Sequence, residues 1–587
     1  MTKRGCAVLM FLVTAVFAFL FWLATPAISI GYFGSVIFIE IYLLIMISLI
    51  VEFVKRGDLE DFAKAAATVF ILFFVIDIIG LIANWSFFHA GALYAQLGNG
   101  NASNIQEIDY DDMVKQIDTS QIAIVDYNTA KNLADKKLGE EGALGSRVKL
   151  GKGAKMEVNG EILWVFPLEH TGFFKWVHNN STPGYITVSA SNTSKVKMYS
   201  NYSNMYMLSS YWGHNLERHL RFNGNLTTGL TEYTYELDDE YNPYWVVTTF
   251  KNTTVWTNPE ATGVVICNTQ TGETKKYALN EVPEWVDVVQ PDEFIAKQIN
   301  NYGKYVHGWF NPSDEDKTKK TDGILTVYSD NDCYYFTGMT SVGGDESTIG
   351  FIMVNTRNKK AYFSRLGGCT EDAAMGRANT LWANYGYYSV EPMPINLNGA
   401  PTYAHAMKSE DSGLIVAYAM VNIKDITISA KGDTLNEAAR AYAKQLSIAG
   451  MGYAASDTAY SYDLEGTVWR ISEEVQDGSS FYTFMVAEDD KLFTCGYSIS
   501  DELAITREGD TITISYIDDG NGAYTVTSFD NIHFGTPVSE NQQRRDELDA
   551  GSNEENDVLK VDPEKNADWW NSLTPEEQAE IMSGKDK

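Results

Sequence analysis

Three long apolar windows open the chain, at about Cys6–Thr25, Phe33–Val54 and Ala66–Phe88. Each is close to the ~20 residues that a helix needs to cross a bilayer. Three in succession argue against buried helices of a soluble core. Lys3 and Arg4 precede the first window, and Lys55, Arg56 and Lys64 lie between the second and third. The turn from Pro26 to Tyr32 carries no basic residue, so the positive-inside rule predicts an inner N-terminus and an outer location for everything after Phe88. A cleaved signal peptide is the rival reading of the first window, with Ala24 and Ala27 as a loose exit site; its apolar run is long for that role, and two more windows follow.

Two acids fall inside these windows, Glu40 in the second and Asp77 in the third, while Glu52 is near enough to an end to reach the interface. A charged group in hydrocarbon is costly and needs a partner. Glu40 and Asp77 are therefore candidate contacts for assembly within the membrane, with a proton path as the sharper alternative.

The 587 residues exceed what one core organises, so several domains are expected after the membrane segment. The formal charge of -32 repels nucleic acid, which sets aside a DNA- or RNA-binding role. Five scattered cysteines form no CxxC pair and no disulfide framework.

Self-similarity is the strongest signal beyond the membrane segment. Three stretches share an apolar-aromatic strand, then a glycine opening an alternating strand, a polar turn and another strand. They are Trp164 with Gly184–Tyr199, Tyr244 with Gly263–Tyr277, and Tyr334 with Gly350–Tyr362. A fourth, looser copy runs from Pro401 through Gly413 to Ile428. Helical patterns adjoin them at Asn215–Arg221, Pro291–Tyr302, Thr370–Tyr385 and Thr434–Ile448, the last three opening on acids or a Thr cap. Period-two strands beside a helix predict α+β modules of small antiparallel sheets.

At Gly263–Tyr277, and next at Gly350–Tyr362, the chain resembles PepSY-type modules, the propeptide-like domains of secreted bacterial peptidases and envelope proteins. The whole order of segments also resembles uncharacterised bacterial multi-pass membrane proteins. The resemblance implies an inhibitory, chaperoning or signalling role on the envelope side; no peptidase domain is attached, so a target would be a separate molecule.

From about Asp463 to Phe534 five short strands predict a small closed barrel, with an OB-like barrel as the leading form. Between Asp457 and Asp530 stand 16 Asp plus Glu against three basic residues, Arg470, Lys491 and Arg507, which disfavours a polyanion groove. A polar linker follows, and the tail reads as a capped helix in which Trp569, Trp570, Leu573 and Ile581 are candidate anchors for a partner or for the protein's own surface.

The domains expected are thus a three-helix membrane anchor at 1–90, a connecting α/β segment at 91–160, PepSY-like α+β repeats at 161–450, a barrel at 455–535, an acidic linker at 536–567 and a terminal helical peptide at 568–587. HExxH, GxSxG and GxxxxGK[ST] motifs are absent from the sequence, and His214 and His219 stand at i, i+5 rather than at helical ligand spacing. No catalytic, cofactor-binding or metal-binding residue is assigned. The aromatic run from Trp382 to Tyr388 suits a glycan or peptide groove, although aromatics in such elements are more often core. The expected function is a noncatalytic scaffold or regulator of the cell envelope, anchored in the bilayer and presenting an acidic extracytoplasmic domain to a protein partner. The alternatives are an envelope glycan-binding module or hydrolase, and an ion-linked membrane sensor.

Overall fold

The computed structural model describes residues 3–55, 59–115, 122–140, 142, 144–329, 332–343, 347–397, 399–449, 461–476, 479–518, 524–533 and 574–575. The chain divides into two compact units, Met1–Ala439 and Arg440–Lys587.

The first unit begins with three helices, α1 (Lys3–Ala24), α2 (Phe33–Lys55) and α3 (Leu59–Ala83). Each is long and apolar enough to cross a membrane, with spans at Arg4–Ala24, Phe33–Val51 and Ala66–Ala83. They are apolar around most of their circumference and little buried by protein, which is the composition of a helix solvated by lipid. The third span stops five residues short of the apolar window that suggested it. Asn84 turns its amide back onto the Gly80 carbonyl at 2.9 Å, and after Trp85 a separate helix, Ser86–Ala95, begins. Hydropathy alone could not see this break, because Trp85, Phe87 and Phe88 keep the window apolar.

Among the described residues four larger, mainly antiparallel sheets follow, with a two-stranded ladder of Ser347–Thr348 and Gly368–Cys369, and the strand orders of the four are alike. Each is centred on a ten-residue strand: Glu161–His170, Pro243–Asn252, Asp332–Ser341 and Ala400–Ser409. Each of these pairs with the preceding and the following strand of its own sheet, and a further strand completes the ladder on the latter side. A helix precedes each sheet: Tyr127–Glu140, Leu216–Phe222, Asp292–Lys304 and Glu371–Leu381. The last three coincide with the helical patterns in the sequence. Their starts have ordinary physical causes: Asn215 accepts from Arg218 N, Asp292 and Glu293 sit in the first turn, and Thr370 accepts from Ala373 N.

The sheets are joined through shared cores. Val165 and Tyr185 of the first sheet pack with Tyr235, Trp245 and Val265 of the second. Phe336 and Phe351 of the third pack with Tyr403 and Met407 of the fourth, together with Ala374 and Ala378 from the helix Glu371–Leu381 and Trp382 just past its end. Trp382 is thus core; its indole donates to the Tyr418 carbonyl at 3.1 Å, so the Trp382–Tyr388 run does not offer that ring to a groove.

The glycines that mark the sequence pattern have a steric reason. Gly184 and Gly263 have φ of 148° and 150°, and a Cβ on either would strike the carbonyl oxygen of Tyr199 or Tyr277 in the adjoining strand. A Cβ on Gly350 would meet Ser364 O in the same manner. Gly413 is different: it lies in a tight turn ahead of the strand Ile415–Asn422, which is why the fourth copy matches poorly.

In the second unit, five strands close a barrel: Ser461–Gln476, Ser479–Val486, Phe493–Gly496, Thr511–Asp518 and Tyr524–Asn531. The long first strand pairs with both the second and the fourth, and the third runs parallel to the fifth. Phe484, Phe493, Ile514 and Val526 fill the interior. The molecule is therefore three apolar helices followed by β-rich domains and a small closed barrel, as the sequence suggests.

Candidate functional site

The first unit contains a cleft of about 340 Å³ on which all four sheets converge. Lys155 and Trp164 come from the first sheet, Glu232 and Tyr233 from the second, Thr326 and Tyr335 from the third, and Met393 from the fourth. The segment Ala123–Tyr127 closes one side, and Glu391 enters from the link between the strands Tyr387–Ser389 and Met393–Leu397 of the fourth sheet. Clefts between packed substructures are where ligands are most often held.

Asp126 is fixed first. It caps the helix Tyr127–Glu140, accepting from Asn128 N at 3.1 Å and from the Thr129 hydroxyl at 2.5 Å. The buried Lys408 ammonium approaches both of its oxygens, at 2.8 and 2.9 Å. Burial opposes the Asp126 charge, but Lys408 and the two capping donors outweigh it and hold the carboxyl below its ordinary pKa.

Lys155 and Glu391 are left differently. The Lys155 ammonium lies 5.2 Å from the centre of the Trp164 ring, whose own N–H donates to the Val125 carbonyl at 2.7 Å. Burial pushes the Lys155 pKa down, against the pull of neighbouring acids that include Glu391 and Asp126. Burial likewise pushes Glu391 up, against the attraction of Lys155. Among the described residues neither side chain makes a direct ion pair, so a cation and an acid are both available to a molecule in the cleft.

The rim carries a backbone irregularity. The ladder between Gly229–Leu237 and Pro243–Asn252 slips between Thr231 and Tyr233, and Glu232, the residue left over, has φ of 46°. This bulge turns its carboxylate to Lys152, at 3.1 Å. Among the described residues, the site thus offers aromatic walls, a lysine amine without an ion pair and several acids. Among the described residues no group of three metal-ligating side chains forms.

Two further acids, Glu236 and Asp287, lie near each other in the first unit. Glu236 is 3% exposed, and its carboxyl is pushed up to about 8, chiefly by burial, with the Thr234 hydroxyl opposing. Asp287 is pushed up to about 7, again by burial first, while the Glu157 amide donates to it at 2.7 Å. Both hold a proton more strongly than a solvated acid.

Of the residues singled out in the sequence, Glu40 and Asp77 are brought face to face where α2 packs on α3. One oxygen of Asp77 is buried and has no hydrogen-bond partner among the described residues. Trp569, Trp570, Leu573 and Ile581 lie outside the described residues. The cleft residues Asp126, Lys155, Glu232 and Glu391, and Lys408 that pairs with Asp126, were not singled out. Only Asp126 has a local signal, as an N-cap followed by Asn128 and Thr129; the others meet through the fold alone.

The ends of the membrane helices form a second organised region. Arg221, 6% exposed, donates to the carbonyls of Thr25 at 2.9 Å, Asn225 at 2.5 Å and Thr228 at 2.7 Å. The Tyr32 hydroxyl donates to Phe250 O and accepts from Gly229 N, both at 2.7 Å. Asn252 donates to Gly31 O at 2.8 Å, and Asn84 accepts from Trp256 N at 2.9 Å. The turn between α1 and α2 and the end of α3 are therefore all hydrogen-bonded to the second sheet and its helix. Gly80 completes the fit, because a Cβ there would run into the Trp256 ring.

No protein-family model and no curated protein matches the sequence. Among solved structures, a crystal structure of the polysaccharide lyase Uly1 aligns over 65% of this chain and 77% of its own, at 8% identity and a TM-score of 0.14. A score that low establishes no shared fold.

Proposed function

We propose that this chain is a noncatalytic, membrane-anchored scaffold or regulator of the cell envelope, which holds an acidic extracytoplasmic domain in a fixed relation to the bilayer for a protein partner. The observation that carries the reading is the set of hydrogen bonds fastening the helix ends to the second sheet. A catalytic domain needs only a tether, whereas a fixed mount lets events at the bilayer reach the folded domain, and the reverse. The shared strand order of the four sheets and the glycines Gly184, Gly263 and Gly350 support a reading as PepSY-like repeats. The barrel's order, with a parallel third and fifth strand, supports an OB-like form.

The test pairs two measurements on the full chain. Photo-crosslinkers placed at exposed positions such as Tyr388 and Val475, in intact cells, should give a discrete protein adduct. Detergent-purified protein should show no turnover of cell-wall glycans or peptides. Reproducible turnover abolished by Lys155→Met or Glu391→Gln would sink the scaffold reading.

A second reading is favoured by the cleft itself: Lys155, Trp164 and Glu391 suit a small polar ligand such as a glycan fragment, for which aromatic faces and acids are the recognition chemistry. It expects saturable binding of cell-wall fragments by the wild-type protein and its loss in Trp164→Ala.

A further inference from the structure

Two aromatic clusters on the first unit start at the ends of the membrane helices and finish in the open. Trp22, in the last turn of α1, lies 5.6 Å from Trp212, and the Arg218 guanidinium covers its ring at 4.3 Å. Tyr211, next along the chain, contacts Phe173 at 5.1 Å and Trp176 at 5.7 Å. These belong to a short helix, Phe173–His178, whose Phe174 is 85% exposed and Val177 59%. On the other side Trp85, two residues beyond α3, contacts Trp309 at 5.7 Å, and Phe87 contacts it at 5.2 Å. Trp309 leads to Phe310, which is 77% exposed.

Exposed aromatic surface of this kind is unfavourable in water, and scattered apolar residues would not be linked ring to ring back to a membrane helix. The chemistry is that of an interfacial belt: Trp and Tyr prefer the headgroup layer, and a helix with apolar rings beside a Lys lies in that plane. The ends of α1 and α3 emerge on one side, since α2 returns the chain between them. Both clusters grow from those ends. The stretch 172–178 contains Lys175 and no acid, in a chain whose formal charge is -32, so the local charge does not oppose an anionic surface.

We propose that the helix Phe173–His178 and the Trp309–Phe310 turn insert into the headgroup layer of the same bilayer that α1, α2 and α3 cross, giving the first unit contacts with lipid beyond its spans. The proposal rests on the membrane-anchored reading. It commits to lipid, because both clusters continue the surface of the membrane helices themselves.

The test uses full-length protein in lipid nanodiscs with an environment-sensitive thiol label at Phe174→Cys, Phe310→Cys or Phe11→Cys. The native cysteines are buried, so labelling under native conditions favours the introduced thiol. Leu414→Cys, exposed on a turn of the fourth sheet, is the aqueous comparison. Labels at 174 and 310 should lose fluorescence to lipids spin-labelled near the headgroup and resist iodide, while the label at 11 responds to spin labels deep in the acyl chains and the label at 414 to iodide. If 11 is quenched by lipid while 174 and 310 respond only to iodide, the proposal is overturned and the spans stand. Protection of 174 and 310 from both quenchers would mean that protein covers them, which also overturns it. No lipid quenching at 11 would overturn the membrane reading itself.

Discussion

Glu236 shows how one buried side chain can shape the behaviour of the domain. In the folded chain it keeps its proton up to about pH 8, whereas in the unfolded chain it releases it near an ordinary carboxylate pKa. Between those values the unfolded state binds fewer protons, so this contribution to stability is fully present below the unfolded pKa and is lost as pH rises toward the folded one, at roughly 1.4 kcal/mol per pH unit. Asp287 acts with the same sign. Glu236→Gln removes the proton while keeping the shape and the contact with Thr234. Its melting temperature is expected to exceed that of the wild type at about pH 8 by more than at about pH 5; an equal difference at both would show that Glu236 is ionised in the fold. Arg221 works in the opposite sense, as a charge supported by three carbonyls. Arg221→Met strips their donor from the carbonyls of Thr25, Asn225 and Thr228 and is expected to cost about 2–3 kcal/mol, read as a lower melting temperature in detergent.

At the scale of elements, the pattern glycines give the sharpest comparison. Gly263→Ala forces a Cβ toward the Tyr277 carbonyl at a backbone angle that side chains avoid, and is expected to destabilise by roughly 1–3 kcal/mol. Gly376→Ala, in open space on the helix Glu371–Leu381, is expected to be neutral or to gain up to about 1 kcal/mol. Denaturant melts of the two variants check both signs. These elements were legible because their causes are local. Thr434, read as a cap in the sequence, exchanges hydrogen bonds with Glu437, at 3.1 and 3.2 Å, at the start of the helix from Leu435. The five barrel strands follow alternation and turn residues. The cleft was not legible, because Asp126, Lys155, Glu232 and Glu391 come from four segments whose meeting is a tertiary event; Asp126 and its partner Lys408 are 282 residues apart. The bulge that aims Glu232 also breaks the alternation that would reveal it. The break at Asn84 was hidden for a different reason, since its partner Trp256 lies far along the sequence, in the loop between the strands Pro243–Asn252 and Pro259–Asn268.

For the molecule as a whole, the three helices and the fastening of their ends decide what the chain can be. Asn84, Tyr32 and Arg221 each reach residues far away in sequence, so the membrane segment and the second sheet fold into one another rather than being joined by a free linker. The account requires that the bilayer separate the N-terminus from everything after α3. Protease added to intact cells, with a tag at the C-terminus and a cytoplasmic protein as control, tests this directly. Cleavage of the region after α3 while the control survives is the predicted result. Full protection of that region, under conditions where the protease cleaves a known external protein, would place the folded domains inside and contradict the account.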